Sequence, residues 1–150
     1  MIFVDSRYNL LDFKGMTACT PNESEVEALL GVRIDDNAKA LETSGRALLR
    51  KTGAEAMLVT RGSRGMALFE PGEPTVRVPI FGSDEVADVT GAGDTVIAAF
   101  ALARAAGATF EEAAQLANFA GGLVVMKRGT ATITADELRA AVRSGTDVDR

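Results

Sequence analysis

Residues 88–95 read Asp-Val-Thr-Gly-Ala-Gly-Asp-Thr, and residues 96–103, Val-Ile-Ala-Ala-Phe-Ala-Leu-Ala, follow without a break. Two glycines around an alanine, directly ahead of an apolar helical run, predict a loop that turns sharply into a buried helix. Small residues at such a point let backbone N–H groups converge, and the positive end of the helix dipole adds to them, so the helix start suits phosphate or another anion. Asp94 falls on the first turn. Amides that hold an anion, next to a carboxylate, supply what phosphoryl transfer requires: charge stabilisation and a group to orient an attacking hydroxyl. The plainer alternative is that Asp88 or Thr90 caps an ordinary helix and the glycines only make the turn. An acidic group inside an anion site would compete with the anion unless it had a chemical role, which favours the first reading. The irregular approach, residues 83–87, marks a loop arriving at a helix. A dinucleotide-binding turn of the dehydrogenase type would follow an apolar strand and carry a third glycine, where this chain has Val96. No Gly-x-x-x-x-Gly-Lys-Ser/Thr run occurs, which excludes a P-loop.

Composition narrows the rest. A chain of 150 residues with 47% hydrophobic content carries enough apolar surface for one domain with a core. A formal charge of −5 with no block of like charge argues against nucleic acid or an anionic membrane as the main partner. No apolar run approaches ~18 residues, so no membrane span is expected. The opening Met-Ile-Phe-Val-Asp is too soon acidic for a signal peptide. The one cysteine, Cys19, precludes an internal disulfide framework, reads as a buried strand residue, and fits a reducing cytoplasm. Histidine is absent, which removes Ser-His-Asp and Cys-His catalysis and histidine metal sites. Acid–base chemistry falls to carboxylates, lysine or the single tyrosine, Tyr8.

Apolar patterning and turn residues predict strands over 2–4, 16–19, 56–60, 66–69 and 75–80. Helices are expected over 23–30 with Gly31 as C-cap, from an Asp35 or Asp36 cap to about Lys51 with Gly53 closing it, from Gly91 to Gly107, from Phe110 to about Lys127, and after Thr134. Thr109 with Glu112 and Thr134 with Glu137 are spaced as capping boxes. The order of elements implies an α/β sandwich with a mainly parallel sheet flanked by helices.

Three further clusters bear chemistry. Asn22-Glu23-Ser24-Glu25 follows the second strand, and in open α/β sheets ligands gather at the carboxyl ends of strands. Asn22 offers an amide, and Glu25 can hold Mg²⁺ directly or through water; an acidic helix start explains the same residues. Thr60 and Gly62 stand where a strand enters a tight turn, which is either a nucleotide contact or a plain hairpin. The segment from Ala117 reads Ala-Asn-Phe-Ala-Gly-Gly, and glycines within a helix lower its stability by ~1 kcal/mol each, so Gly121 and Gly122 predict a close approach. The partner there is either the glycine-loop helix or a bound base.

These segments together resemble the ribokinase-type (PfkB) carbohydrate kinases. The resemblance implies a ribokinase-like sandwich, with Asp94 as the catalytic base and Gly91, Ala92 and Gly93 as the anion hole. It implies Asn22 and Glu25, with Glu23 and Ser24 beside them, at Mg²⁺ and the ATP phosphates; Thr60 and Gly62 on the nucleotide; and Asn118 and Ala120 near the adenine. A carboxylate at a helix N-terminus is held in its charged form, so Asp94 is expected to orient the hydroxyl and accept its proton late. Residues 20–25, 58–61, 88–96 and 127–132 further look like the kinase domain of the bacterial heptose-phosphate kinases. Those enzymes phosphorylate the anomeric hydroxyl of a heptose 7-phosphate towards a lipopolysaccharide precursor. Ser6, within Asp5-Ser-Arg7, departs from their Asp-Pro.

The expected partners are thus ATP and a sugar phosphate. Ribose or fructose phosphate as acceptor, and a non-catalytic nucleotide-binding module, stay open as alternatives, as does a monovalent cation near the glycine loop. Kinases of this kind carry an N-terminal half with a β lid. The chain is therefore expected to be their C-terminal, nucleotide-binding part, with little sugar kinase activity alone and an open sheet edge suited to homo-oligomers.

Overall fold

The computed structural model describes residues 1–82 and 89–147, and the chain divides into two compact units. The first comprises residues 1–62 and 66–77; the second comprises residues 63–65 and those from 78 onward.

The first unit is organised by short strands too apolar to face water. β1 (Phe3–Val4), β2 (Ala18–Cys19) and β3 (Ala56–Thr60) run parallel, with Phe3 opposite Ala18, and Ala18 opposite Ala56. β4 (Met66–Phe69) returns antiparallel on β3, pairing Met57 with Phe69 and Thr60 with Met66. β5 (Val76–Val78) completes the order β1-β2-β3-β4-β5. The sheet is shorter than the sequence pattern predicts, and one cause is explicit. Pro79 has no N–H to continue a ladder, so β5 ends at Val78. Residues 56–59 and 66–69 are buried without alternation, as expected where a parallel core leaves no wet face.

Two helices connect β2 to β3, because a parallel pair needs a long crossover. α1 (Glu23–Leu30) ends at Gly31 in the left-handed region. α2 (Ala38–Thr52) is capped by Asn37, not by Asp35 or Asp36: Asn37 Oδ1 accepts from Lys39 and Ala40 N–H at 3.0 Å each. The reason lies one turn back. Ile34 sinks into the core and its N–H donates to Glu27 Oε1 at 2.7 Å, so the turn that closes from Asn37 N–H to Ile34 O begins later than the charges suggest. Leu10, Met16, Val26, Ile34, Leu41, Leu48, Met57 and Phe69 belong to one continuous core. Within it α2 lies so close to β4 that a Cβ on Gly45 would stand 2.3 Å from the Phe69 ring.

Arg46, next along α2, fastens the 70–75 turn. Its guanidinium donates to Glu70 O and Glu73 O at 2.7 Å each, to Thr75 Oγ1 at 2.9 Å and to Glu42 Oε1 at 2.9 Å. Hydrogen bonding from Thr75, then Arg46, holds the Glu42 carboxyl below its ordinary range.

The second unit is three helices and an extended approach. α3 (Ala92–Ala105) packs along α4 (Phe110–Val125), with the Phe100 and Phe110 rings 6.1 Å apart. Thr109 and Glu112 form the expected capping box. The close neighbour of Gly122 is the backbone at Phe81: a Cβ there would lie 2.3 Å from Phe81 O. α5 (Ala135–Asp147) is tied to the end of α4 by Lys127, whose Nζ donates to Thr132 O and Glu137 Oε1 at 2.7 Å each. Glu137 also closes the Thr134 capping box, and these bonds, Lys127 first, hold its carboxyl down at about 2. Among the described residues no helix is long and apolar enough to cross a membrane.

Two outcomes follow from this packing. Gly45→Ala gains ~1 kcal/mol of helix propensity yet forces a methyl into a fully buried ring, so urea denaturation should show a net loss of about 1–3 kcal/mol. Because Glu137 has a folded value below its unfolded one (about 4.3), the α4–α5 clamp is intact above pH ~4.5 and is lost as pH falls towards 2. Melting temperature followed from pH 6 to 2 should therefore fall less steeply in Glu137→Gln than in the unaltered chain.

Candidate active site

In the first unit the polar residues collect where β2 and β3 end. Thr60 N–H donates to Pro21 O at 3.0 Å, and an isolated parallel bridge joins Asn22 to Thr60, so the start of α1 and the end of β3 lie side by side. Asn22 then caps α1. Its Oδ1 accepts Glu25 N–H and Glu25 Oε2 accepts Asn22 N–H, both at 2.9 Å. The motif expected to meet nucleotide and cation is thus also a capping box, satisfying two amides that the helix itself cannot. Asn22 Nδ2 and Glu25 Oε1 remain uncommitted, with Asn22 exposed and Glu25 half-buried. Ser24 is exposed beside them.

Glu23 differs from these neighbours. It is buried, and its Oε2 accepts from Arg61 Nε at 2.6 Å. Arg61 Nη2 also donates to Asp35 O at 3.1 Å, at a residue whose φ of 44° lies in the left-handed region. Sequence reasoning assigned nothing to Arg61; the available signal was a lone arginine directly between a buried strand and a glycine turn. Thr60 is half-buried, and Gly62, exposed, opens the 3₁₀ turn Gly62–Arg64. Thr20 Oγ1, at the end of β2, is buried without a hydrogen-bond partner.

In the second unit the glycine loop enters α3 as anticipated. Gly91 occupies the left-handed region (φ 78°, ψ 2°), a conformation that penalises any Cβ. Among the described residues no side chain caps the helix. Ala92 N–H reaches Val89 O and Thr95 N–H reaches Gly91 O, while Gly93 and Asp94 N–H have no acceptor among the described residues. Two adjacent first-turn donors thus stand at the positive end of a 14-residue helix, the arrangement that favours an anion. The Asp94 side chain is exposed and has no hydrogen bond or ion pair among the described residues. Asp88, the other carboxylate of the motif, lies outside the described residues. Thr90 is exposed and is not the cap.

Asn118 and Ala120 sit inside α4. Asn118 is buried and its Nδ2 donates to Pro79 O at 2.8 Å; Ala120 is fully buried. Asn118 ties the 78–82 approach to the helix, aided by the Phe81 and Phe119 rings, 4.5 Å apart. Cys19 is buried, and burial, with the charge of Asp5 adding to it, pushes its thiol up to about 12, so it is no nucleophile. Among the described residues no group of three metal-ligating side chains exists. A divalent cation would have to draw most of its oxygens from phosphate and water, which is the habit of Mg²⁺, with Glu25 Oε1 a carboxylate oxygen not taken up by the capping box.

The α/β architecture is that of a ribokinase-like fold. Residues 9–137 match the model of the pfkB family carbohydrate kinases. The chain is 49% identical over 130 residues to the bifunctional protein HldE of Alcanivorax borkumensis, covering 87% of this chain and 27% of that one. It is 48% identical over 131 residues to HldE of Pseudomonas aeruginosa, with the same coverage, 87% and 27%. Ribokinase of Arabidopsis thaliana, solved with ribose and ATP, matches with a TM-score of 0.77 at 29% identity, over 85% of this chain and 41% of that one. Phosphofructokinase-2 of Escherichia coli in complex with potassium matches in fold, with a TM-score of 0.79 at 20% identity, over 91% and 43%. The chain belongs to the pfkB family of carbohydrate kinases. It spans about a quarter of the length of the curated relatives it matches.

Because Asn22 caps α1, Asn22→Ala should lower stability by about 1 kcal/mol in chemical denaturation, and Asn22→Asp, which can still cap, by clearly less.

Proposed function

We propose that this chain forms the nucleotide-handling part of an ATP-dependent sugar kinase that phosphorylates a hydroxyl of a sugar phosphate, with Asp94 as proton acceptor. The observation that carries the reading is the start of α3: a left-handed Gly91, two first-turn N–H groups without acceptors, and an exposed, unpaired Asp94.

The chemistry follows from those groups. The sugar hydroxyl oxygen forms a bond to the γ-phosphorus of ATP as the bond from that phosphorus to the bridging oxygen breaks, releasing ADP. The hydroxyl proton passes to the Asp94 carboxylate. Because Asp94 lies on the first turn of its helix, it is a modest base; it accepts the proton once bond formation has acidified the hydroxyl. Gly93 and Asp94 N–H stabilise negative charge on the phosphate, contributing the kind of preorganised electrostatics that dominates such reactions. Mg²⁺, when bound, would neutralise phosphate charge. Glu25 Oε1 is the oxygen we assign to it, directly or through water, and Asn22 Nδ2, Ser24 and Thr60 are the polar groups we assign to the nucleotide. Gly62 keeps the backbone accessible there. Asn118 and Ala120, being buried, are assigned a supporting part within α4 rather than direct contact with the nucleotide.

For the acceptor we favour a heptose 7-phosphate. Support comes from the segments that resemble heptose-phosphate kinases, Thr-Pro-Asn-Glu-Ser-Glu at 20–25 and Lys-Arg-Gly-Thr-Ala-Thr at 127–132, and from the identity to HldE proteins along 87% of the chain. Ribose and fructose 6-phosphate are the competing acceptors within the same family.

The test compares turnover with each of the three sugars in the kinase-length polypeptide that carries this segment, with and without Asp94→Asn. The substitution keeps shape and removes the proton acceptor, so kcat should fall about 10²–10⁴-fold with little change in ATP affinity. Unchanged turnover would refute the assignment of Asp94, and a preference for ribose or fructose 6-phosphate would refute the heptose.

A further inference from the structure

The Glu23–Arg61 pair is placed unlike any other ion pair described in the chain. Glu23 is the first residue of α1 and Arg61 is the residue after β3, 38 positions later. Their side chains are 10% and 13% exposed and meet at 2.6 Å. Arg33–Asp35 and Arg139–Asp136 lie largely in water and contribute little; Arg46–Glu42 and Lys127–Glu137 are also more exposed than this pair. A pair largely withdrawn from water is different, because its charges give back little net stability, and hydrophobic residues of similar volume often replace such pairs without loss. Its retention needs a reason other than stability.

Position supplies one. Each partner is flanked by residues assigned above to the nucleotide: Asn22 and Glu25 around Glu23, Thr60 and Gly62 around Arg61. The two chain segments already touch through the Asn22–Thr60 bridge and the Thr60 N–H to Pro21 O bond. Those are backbone contacts, and Val26 seats α1 in the core; none of them engages the side chains of Glu23 and Arg61. The Arg61 fork adds two directed bonds of different origin, to Glu23 and to the Asp35 carbonyl, so that it grips α1 at its start and the loop that follows α1. A planar guanidinium has that geometry, and an ammonium does not.

From this we infer that Glu23 and Arg61 are positioning residues for nucleotide binding: they touch each other rather than ATP, and they fix the angle at which Asn22, Glu25 and Thr60 are presented. The inference rests on the reading of this chain as ATP-binding, and it reassigns Glu23 from ligand to strut.

The experiment is calorimetric titration of Mg-ATP into three proteins, with melting temperature recorded for each: the unaltered chain, Arg61→Lys, and the double variant Glu23→Leu with Arg61→Met. The double variant replaces the pair by apolar groups and should stay folded, with a melting temperature within a few degrees of the original. Arg61→Lys keeps the charge and loses the fork. We expect both to bind Mg-ATP at least ~10-fold more weakly, equivalent to about 1.4 kcal/mol. A folded double variant, or a folded Arg61→Lys, that binds as tightly as the unaltered chain overturns the positioning role while leaving the ATP reading intact. Absence of Mg-ATP binding by the folded, unaltered chain overturns both. If the double variant does not fold, the pair is structural in a stronger sense than proposed, and Arg61→Lys decides: full affinity there refutes the inference, and weakened affinity at an unchanged melting temperature supports it.

Discussion

The parallel pairing of β1, β2 and β3 is the constraint from which the first unit follows. Parallel neighbours cannot be joined by a tight turn, so the chain must leave β2 at its carboxyl end, travel through α1 and α2, and return before β3 begins. That route puts the start of α1 directly beyond the carboxyl end of β2. It also places there the unsatisfied amides that every helix start carries, next to the end of β3. Topology therefore requires a helix start at this place, and the Asn22–Glu25 motif satisfies its first amides. The covering residues Val26, Leu41, Leu48 and Leu49 make the crossover stable by burial, so the polar end can be left to chemistry.

The same logic has an opposite outcome at α3. There no described side chain caps the helix start, and Gly91 adopts a left-handed conformation with the Gly93 and Asp94 N–H unpaired among the described residues. A helix normally gains about 1 kcal/mol from a capping side chain. Forgoing that gain is a local defect in stability, of the kind that proteins keep where the open group has work to do. α3 is otherwise well secured, by its packing on α4 and the Phe100–Phe110 contact, so the uncapped end does not endanger the helix. The contrast between a fully capped α1 and an uncapped α3 distinguishes a helix start that positions side chains from one that presents its backbone.

Much of this was readable beforehand, for identifiable reasons. The bounds of α1 followed from Pro21-Asn22 at one end and Gly31 at the other, and β3 and β4 from apolar runs enclosing an Arg-Gly-Ser-Arg-Gly turn. The capping boxes at Thr109 and Thr134 depend on spacings of three residues, which a sequence displays directly. What escaped were pairings over long separations. The burial of Glu23 depends on Arg61, 38 residues on, and the use of Asn118 depends on Pro79, 39 residues back. The close neighbour of Gly122 is Phe81, and no periodicity within α4 could announce it. Even the choice of Asn37 over Asp35 or Asp36 as a cap turned on how far Ile34 descends into the core.

The sequence by itself determined the class of the chain: an α/β protein of the pfkB carbohydrate kinase family with a glycine-flanked helix start and a carboxylate on its first turn. Local spacing encodes helix caps, glycine turns and apolar periodicity, because those interactions span only a few residues. Tertiary structure alone decided which polar groups remain available. It spent Glu23 on Arg61, Asn118 on Pro79 and one oxygen of Glu25 on a cap, and it left Asp94, Asn22 Nδ2 and Glu25 Oε1 unspent. The physical reason is that a buried polar group must find a partner wherever in the chain one can be brought to it, and which partner arrives is settled only by packing.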